Sequence, residues 1–600
     1  MQVVILAAGM GKRLGALTQH NTKCMVKVQG VTLIERLLGQ LSRAGLKKII
    51  IVTGYCADNL SSFIGKNYLG MQIEYVNNPI YDKTNNIYSL ALAKNYIIAD
   101  DTLLFESDLI FEDSIIYDVL NCPAKNAVTV AKFESWMDGT VVTLDDDNTI
   151  LSFVPKAGFE YDNIDSYFKT VNIYKLSKEF SANFYVPFLE AYTKALGNNE
   201  YYEEVLRVIT FLDRAKLTAI RLNCQKWYEI DDIQDLDIAE TIFSKPEEKL
   251  INFHKRYGGY WRFPELIDFC YLVNPYFPPK KLVDEMTSNF QTLMAAYPSG
   301  MDVNNLLAAK FFGVSSSEII VGNGASELIS VLLECLNNNI GIMLPTFEEY
   351  TNRLPKERLI IGLPTNDNFT YSIEDIEKVS QTADQVIIVN PNNPTGQLIP
   401  ITDLLKFTKK LELLRKRIIV DESFIDFSDS ENINSLLKSK ILEKHPNLIV
   451  IKSISKSYGV PGFRLGVLAS SDIELLKKIR SKLPIWNINS FGEFFMQIYN
   501  KYESSYRSAC KSFISERERF FDELQNIVYL RVIPSKANYF LCEVKLPYHS
   551  KSLTNQLLVN YNVLIKDCSI KQGFEGKSYV RIAIRNKVEN DRLIDFLSCL

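Results

Sequence analysis

The sequence predicts an α/β protein built as two domains in tandem, each a sheet of mostly parallel strands covered by helices. Three observations carry this. Short runs rich in Val, Ile and Leu alternate with helical stretches along the whole chain. The alternation breaks over one stretch, with Ser244-Lys245-Pro246-Glu247-Glu248-Lys249 followed by Gly258-Gly259, then resumes with new strands. Finally, 600 residues exceed what a single hydrophobic core serves.

In chain order, 3–6 is a buried-strand run and 49–52 is another. Between them Leu33, Ile34, Leu37, Leu38 and Leu41 recur at helical spacing. The first domain is expected over 1–243 and a linker over 244–256. The second domain, 257–600, brings strands at 386–389, 417–420 and 448–451. A charged amphipathic helix around 516–524 opens a small subdomain over about 500–600. Strands alternating with helices call for sheets covered on both faces.

Composition narrows the function. Hydrophobic residues make up 47% and charged residues 23%, ordinary for a globular protein. A net charge of -4 supplies no basic field for nucleic acid. No apolar run approaches the ~18 residues of a membrane span. The N-terminus lacks a charged segment ahead of its apolar stretch and reads as a strand, not a signal peptide. Ten cysteines without a Cys-x-x-Cys pair point to reduced thiols and a cytoplasmic protein.

A glycine-rich loop, Leu6-Ala7-Ala8-Gly9-Met10-Gly11-Lys12-Arg13-Leu14, directly follows the first strand. Gly9 and Gly11 let backbone N–H groups approach a phosphate, and Arg13 and Lys23 supply positive charge. The spacing is neither that of a dinucleotide fold nor that of a P-loop. Asp108 follows the apolar run 103–105, and Glu229 and Asp231 share one face of an extended segment. With Asp108 they make an oxygen-ligand set suited to Mg²⁺. Each acid alone is more often a solvated strand end.

Taken together, the loop, Lys23, Asp108 and Glu229/Asp231 resemble the sugar-phosphate nucleotidyltransferase family. The segments 81–90, Trp136, Lys156-Ala157-Gly158 and Tyr228-Glu229-Ile230-Asp231 resemble its phosphocholine cytidylyltransferase branch. The resemblance covers about 1–240 and implies a Rossmann-like nucleotidyltransferase with a mixed sheet. It implies that Asp108, Glu229 and Asp231 bind Mg²⁺ and that Arg13 and Lys23 hold the phosphates of CTP. The nucleotide would lie against Leu6, Ala8, Gly9 and Gly11, with Asn86 and Ser89 near the base and Lys156 toward the substrate. Trp136 either faces a cationic head group or is core. Thr22 departs from the family, which usually has proline before the lysine.

The second half carries Asn390-Pro391-Asn392-Asn393-Pro394-Thr395-Gly396, Asp421-Glu422-Ser423-Phe424 and Ser453-Ile454-Ser455-Lys456, each after a buried strand. Sites of open α/β sheets form at those carboxyl ends. A lysine, a carboxylate, a serine and an arginine are what holds pyridoxal phosphate. With Gly322-Asn323-Gly324-Ala325-Ser326-Glu327 upstream, this order resembles the fold-type I pyridoxal-phosphate aminotransferases, nearest histidinol-phosphate aminotransferase and threonine-phosphate decarboxylase. The resemblance implies Lys456 as the lysine joined to the cofactor and Asp421 as the partner of its ring nitrogen. Asn393 would bond the ring hydroxyl. Ser453, Ser455 and Arg464 would hold the phosphate with the backbone of Ala325 and Ser326. Phe347 would stack on the ring, and Arg581 would clamp a donor's α-carboxylate. It also implies a homodimer. Phe424 stands where a tyrosine is usual.

The pair of domains resembles the bifunctional 2-aminoethylphosphonate cytidylyltransferase/transaminases. This implies that phosphonoacetaldehyde receives an amine from alanine or glutamate, and that the resulting 2-aminoethylphosphonate is joined to CMP with release of pyrophosphate. A phosphocholine or phosphoethanolamine cytidylyltransferase fused to a threonine-phosphate decarboxylase or a histidinol-phosphate-type aminotransferase is the enzymatic alternative. A catalytically silent binding or dimerisation module in one half is the non-enzymatic one.

Overall fold

The computed structural model describes residues 1–212, 215–428 and 435–600. The chain divides into two compact units, Met1–Arg262 and Phe263–Leu600. The stretch expected as a linker is helical instead. Pro246–His254 is an α-helix with proline in its first turn, a position where the missing N–H has no intrahelical partner to lose. The break falls after Arg262.

In the first unit the strands Gln2–Ala7, Lys48–Thr53, Met71–Asn77 and Thr102–Glu106 run parallel at the centre of the sheet. Phe168–Leu176 joins them antiparallel and carries further antiparallel strands, so the sheet is mixed. The helix Leu33–Arg43 starts at a capping box of Thr32 and Glu35 and buries Leu33, Ile34, Leu37, Leu38 and Leu41. The strands Leu109–Phe111 and Trp227–Glu229 pair separately, with Glu229 opposite Leu109.

In the second unit seven strands form a sheet in the order Ile319–Asn323, Leu465–Ala469, Leu448–Ser453, Arg417–Asp421, Gln385–Val389, Ile340–Met343 and Leu359–Gly362. Only Leu465–Ala469 runs against its neighbours. Val389 lies opposite Asp421, and Asp421 opposite Ile451, so three consecutive strands end in one row. A second, antiparallel sheet holds Leu530–Ile533, Tyr539–Val544, Tyr579–Ala583 and Lys566–Asp567, packed with the helix Glu503–Gln525. The short strand Ile267–Asp268, at the start of the unit, pairs in parallel with Val563–Leu564. These two units are the two α/β domains the sequence predicts, with a mixed sheet in the first.

Candidate functional sites

A cleft of about 430 Å³ opens in the first unit at the ends of the central strands. Leu6, Ala8, Gly9, Gly11, Arg13, Lys23, Asn86, Ser89, Asp108, Lys156, Glu229 and Asp231 all line it. Gly11 sits in the left-handed region at φ 61°, and a Cβ there would stand 3.2 Å from Lys23 Cβ. The loop therefore turns tightly against Lys23 only because position 11 has no side chain.

Pairing of the two short strands brings the acids together. The amide of Ile230 donates to the carbonyl of Asp108 at 3.0 Å, and ligand oxygens of Asp108, Glu229 and Asp231 all lie within 4.8 Å of one another. Cations of the chain itself neutralise them. Lys23 Nζ lies 2.5 Å from Asp108 Oδ2 and 2.6 Å from Asp231 Oδ1, and Arg13 lies 3.0 Å from Asp231. Burial pulls the Lys23 ammonium pKa down, but Asp108 and Asp231 outweigh it and raise the value. Burial pushes the Asp231 carboxyl up, while Lys23 and Arg13 hold it below the usual range. Glu229 is raised by burial against the opposing pull of Lys169.

Oδ1 of Asp108 is buried with no hydrogen-bond partner. An orphaned carboxylate oxygen beside two more carboxylates fits a hard divalent cation. Asp108, Glu229 and Asp231 would hold it.

Three cleft residues escape the sequence reading. Lys169, almost fully buried, reaches Glu229 at 3.1 Å from the strand Phe168–Leu176. Its strand also carries Thr170, Asn172 and Lys175, so nothing in the sequence singled it out. Glu106 is held well above the usual carboxyl range by burial and then by Asp108. Burial pushes Glu203 up to about 7.

Two expected contacts are used inside the protein. Asn86 donates to Glu106 at 3.1 Å and accepts from the amide of Tyr202 at 3.0 Å, and Ser89 accepts from Asn78 at 3.1 Å. Trp136 lies outside the cleft lining. Its ring stacks on Tyr228 at 5.4 Å, and the cation over it is the chain's own Arg262, 4.5 Å away. The reading of Trp136 as the seat of a cationic head group is therefore corrected: that ring already has its cation.

In the second unit the three strand ends deliver Asn393, Asp421 and Lys456 to one edge of the sheet. Asp421 is buried; the Ser423 amide donates to its Oδ1 at 2.9 Å and the Tyr350 hydroxyl to its Oδ2 at 2.9 Å. Burial raises its carboxyl pKa, and these donors oppose the rise. Lys456 lies in the single turn Ile454–Ser457, with Nζ 4.8 Å from the ring centre of Phe424. Burial, then Arg581, lower its ammonium to about 8, against the pull of Asp421. That turn is fastened from two sides. Asn274 donates to the Ser457 carbonyl at 3.0 Å, and Ser457 Oγ donates to Asp426 Oδ2 at 2.7 Å. Asp426 in turn forms a buried ion pair with Lys452 at 2.7 Å.

Arg464 packs onto Gly324, where a Cβ would stand 2.7 Å from its Nη2. Gly324 precedes the helix Ala325–Cys335, so the guanidinium meets a helix N-terminus that carries the amides of Ala325 and Ser326. Ser453 and Ser455 are buried nearby, and Ser455 Oγ reaches the Leu465 carbonyl at 3.4 Å. Arg581 donates to Asn393 Oδ1 at 2.9 Å, and its Nε is buried without a partner. Phe347 is half-buried, edge-on to Tyr350. A buried carboxylate, a lysine of lowered pKa and an anion cradle fit pyridoxal phosphate. Lys456, Asp421, Asn393, Ser453, Ser455, Arg464, Phe347 and the helix start would hold it. Tyr350 and Tyr539, whose hydroxyl donates to the Asn392 carbonyl at 2.9 Å, were not legible in advance.

Comparison with known proteins follows the same division. The profile of the MobA-like NTP transferase domain matches residues 3–143, and that of Aminotransferase class I and II matches 265–597. A CMP-5'-(3-aminopropyl)phosphonate synthase of Streptomyces rubellomurinus is 30% identical over 99% of this chain and 94% of that protein. The L-serine phosphate decarboxylase of Sulfurospirillum multivorans is 32% identical over 55% of this chain and 88% of its own length. A solved structure of a decarboxylase from Sulfurospirillum multivorans superposes with a TM-score of 0.52 at 28% identity, covering 59% of this chain and 97% of that one. With an NTP transferase domain ahead of it, the second half makes this chain a member of the class I and II aminotransferase family, whose fold-type I members work with pyridoxal phosphate.

Proposed function

We propose that the second unit makes a primary amine on a short alkyl phosphorus acid and that the first unit joins this compound to CMP. The observation that carries the reading is the completeness of both sites on one chain: an acid trio with Lys23 beside a glycine loop, and Lys456 facing Asp421 beside an anion cradle. Similarity to a synthase named for a CMP-linked aminoalkylphosphonate supports it.

In the first unit a phosphorus oxyanion attacks the α-phosphorus of CTP. One P–O bond forms, the bond to pyrophosphate breaks, and no covalent enzyme intermediate is needed. Bound Mg²⁺ would supply charge neutralisation at the phosphates. The glycine-loop amides, Arg13 and Lys23 orient the triphosphate and balance its charge. Glu106 and Glu203 also line the cleft, and an ammonium group on the acceptor would draw both toward their charged forms.

In the second unit bound pyridoxal phosphate would supply an electron sink next to the substrate nitrogen. Asp421 holds a proton toward the ring nitrogen, Arg581 binds a carboxylate, and Lys456, with a pKa of about 8, moves a proton at the carbon bearing nitrogen.

The substrate expected from the sequence is 2-aminoethylphosphonate, made from phosphonoacetaldehyde with alanine or glutamate as donor. A second route is favoured by a specific observation, the likeness of this unit to serine phosphate decarboxylases. Here a phosphorylated or phosphono amino acid loses CO₂ and gains a proton on the same carbon, giving the same kind of amine without a donor. One experiment separates the routes. The purified chain, with CTP, Mg²⁺ and pyridoxal phosphate, is given either phosphonoacetaldehyde with alanine or glutamate, or 2-amino-3-phosphonopropionate or O-phosphoserine. Pyruvate or 2-oxoglutarate marks transamination, and CO₂ marks decarboxylation. Absence of a CMP-linked product from every amine offered, including 2-aminoethylphosphonate, phosphocholine and phosphoethanolamine, would end the reading of the first unit.

A further inference from the structure

Arg262, the last residue of the first unit, lies outside the cleft yet contacts the two segments that shape it. It is largely buried, at 13% side-chain exposure. Its guanidinium donates to the hydroxyl of Tyr228, with Nε at 3.2 Å, and to Asp235 Oδ1 at 2.7 Å. Its plane covers Trp136 at 4.5 Å. Each partner leads to the site. Tyr228 immediately precedes Glu229. Asp235 Oδ2 accepts from the amides of both Asp231 and Asp232 at 3.1 Å, so it fixes the backbone that carries the Asp231 carboxylate. Trp136 belongs to the loop whose next residues, Asp138, Gly139 and Thr140, line the cleft. Lys255 and Arg256, just past the helix Pro246–His254, both pair with Asp237, which shares the helix Ile233–Ile242 with Asp235.

We propose that Arg262 is a positioning residue for nucleotidyl transfer, clamping the acid-bearing strand and the 134–140 loop in the geometry the acid trio needs. Only a planar fork serves a hydroxyl, a carboxylate and a ring face at once, so lysine is not an equivalent. Without it Asp235 keeps a charge in a half-buried place with its cation gone, and the turn at 231–235 loses its brace. The transferase site thus extends to residue 262, well past the 3–143 stretch that matches the NTP transferase profile. The proposal rests on the transferase reading of this unit.

The test uses the full-length holoenzyme with Arg262→Ala and Arg262→Lys. Hydrogen–deuterium exchange is followed over 134–140 and 228–235, and Mn²⁺ binding is titrated by paramagnetic resonance without turnover. Pyrophosphate release from CTP is then measured against Mg²⁺ concentration. The expected result for Arg262→Ala is faster exchange in both segments and Mn²⁺ affinity and Mg²⁺ half-saturation weakened about 10–100-fold. Arg262→Lys recovers only part of this, while cofactor absorbance and amine formation in the second unit stay at wild-type levels. Wild-type exchange and metal response in Arg262→Ala would overturn the proposal. If that variant does not fold, Asp235→Asn must loosen the same two segments, and failure to do so overturns it equally. A wild-type chain that releases no pyrophosphate defeats the transferase reading, and the exchange and Mn²⁺ data still decide Arg262.

Discussion

The Tyr350 hydroxyl donates to Asp421 Oδ2 across 2.9 Å, in a place where neither residue meets solvent. The carboxylate proposed to face the cofactor ring nitrogen is therefore tuned by a phenol from the short helix Glu348–Asn352. Tyr350→Phe removes one donor from a buried carboxylate, so the Asp421 pKa rises further. The loss is about 1.5–3 kcal/mol of stability in the second unit. Urea unfolding of the cofactor-free protein measures it, and an unchanged midpoint would show that the bond is idle.

Lys456 and Asp108 belong to different units, so their variants separate the two activities. Lys456→Ala is expected to lose the absorbance of covalently held cofactor and all amine formation, yet still to couple externally supplied amine with CTP. Asp108→Asn gives the reverse. Loss of both activities in either variant would contradict independent sites.

Phe424 lies beneath Lys456 and meets Tyr539 edge-on at 5.1 Å. A phenylalanine gives the ring oxygen of bound pyridoxal phosphate no donor from this side. Phe424→Tyr supplies one and is expected to lower the pH midpoint of the cofactor absorbance by about one unit, the size of one hydrogen bond. A midpoint that stays put or rises would contradict it.

Glu422 is buried next to Asp421, and burial pushes its carboxyl up to about 7. It accepts from Ser435 Oγ at 2.5 Å and the Leu436 amide at 2.7 Å. A carboxyl whose folded value exceeds its unfolded value of about 4.3 binds protons more readily when folded. Its contribution to stability is full below the unfolded value and disappears as pH rises through about 7. The melting temperature of the second unit should fall between pH 5 and pH 8, and Glu422→Gln should flatten that slope. An equal slope in the variant would assign it to other groups.

The strands at 3–6, 49–52, 386–389, 417–420 and 448–451 were legible because a parallel strand buried on both faces is a continuous apolar run. The acid trio was legible because Glu229 and Asp231 share strand parity and Asp108 ends an apolar run. What escaped depends on distant parts of the chain meeting. Lys169 reads as one of two lysines in its strand until the fold points it at Glu229. Tyr350 reads as one more helical aromatic until it reaches Asp421. Trp136 left open a cation seat or a core place, and the cation over it is Arg262, more than a hundred residues away and expected to lie in the second domain. Proline at 246 looked like a break and is a helix start, a distinction set by where the following residues pack.

The pairing of Ile267–Asp268 with Val563–Leu564 has a consequence for biosynthesis. The first residues of the second unit wait for partners that follow about 300 residues later in the chain. Until residue 564 clears the ribosome, that strand edge stays open to any neighbouring chain. Among the described residues the first unit has no such debt in its sheets, whose strands are all made by Glu229. Slowing elongation between residues 268 and 563 should therefore raise aggregation of the second half and leave the first untouched.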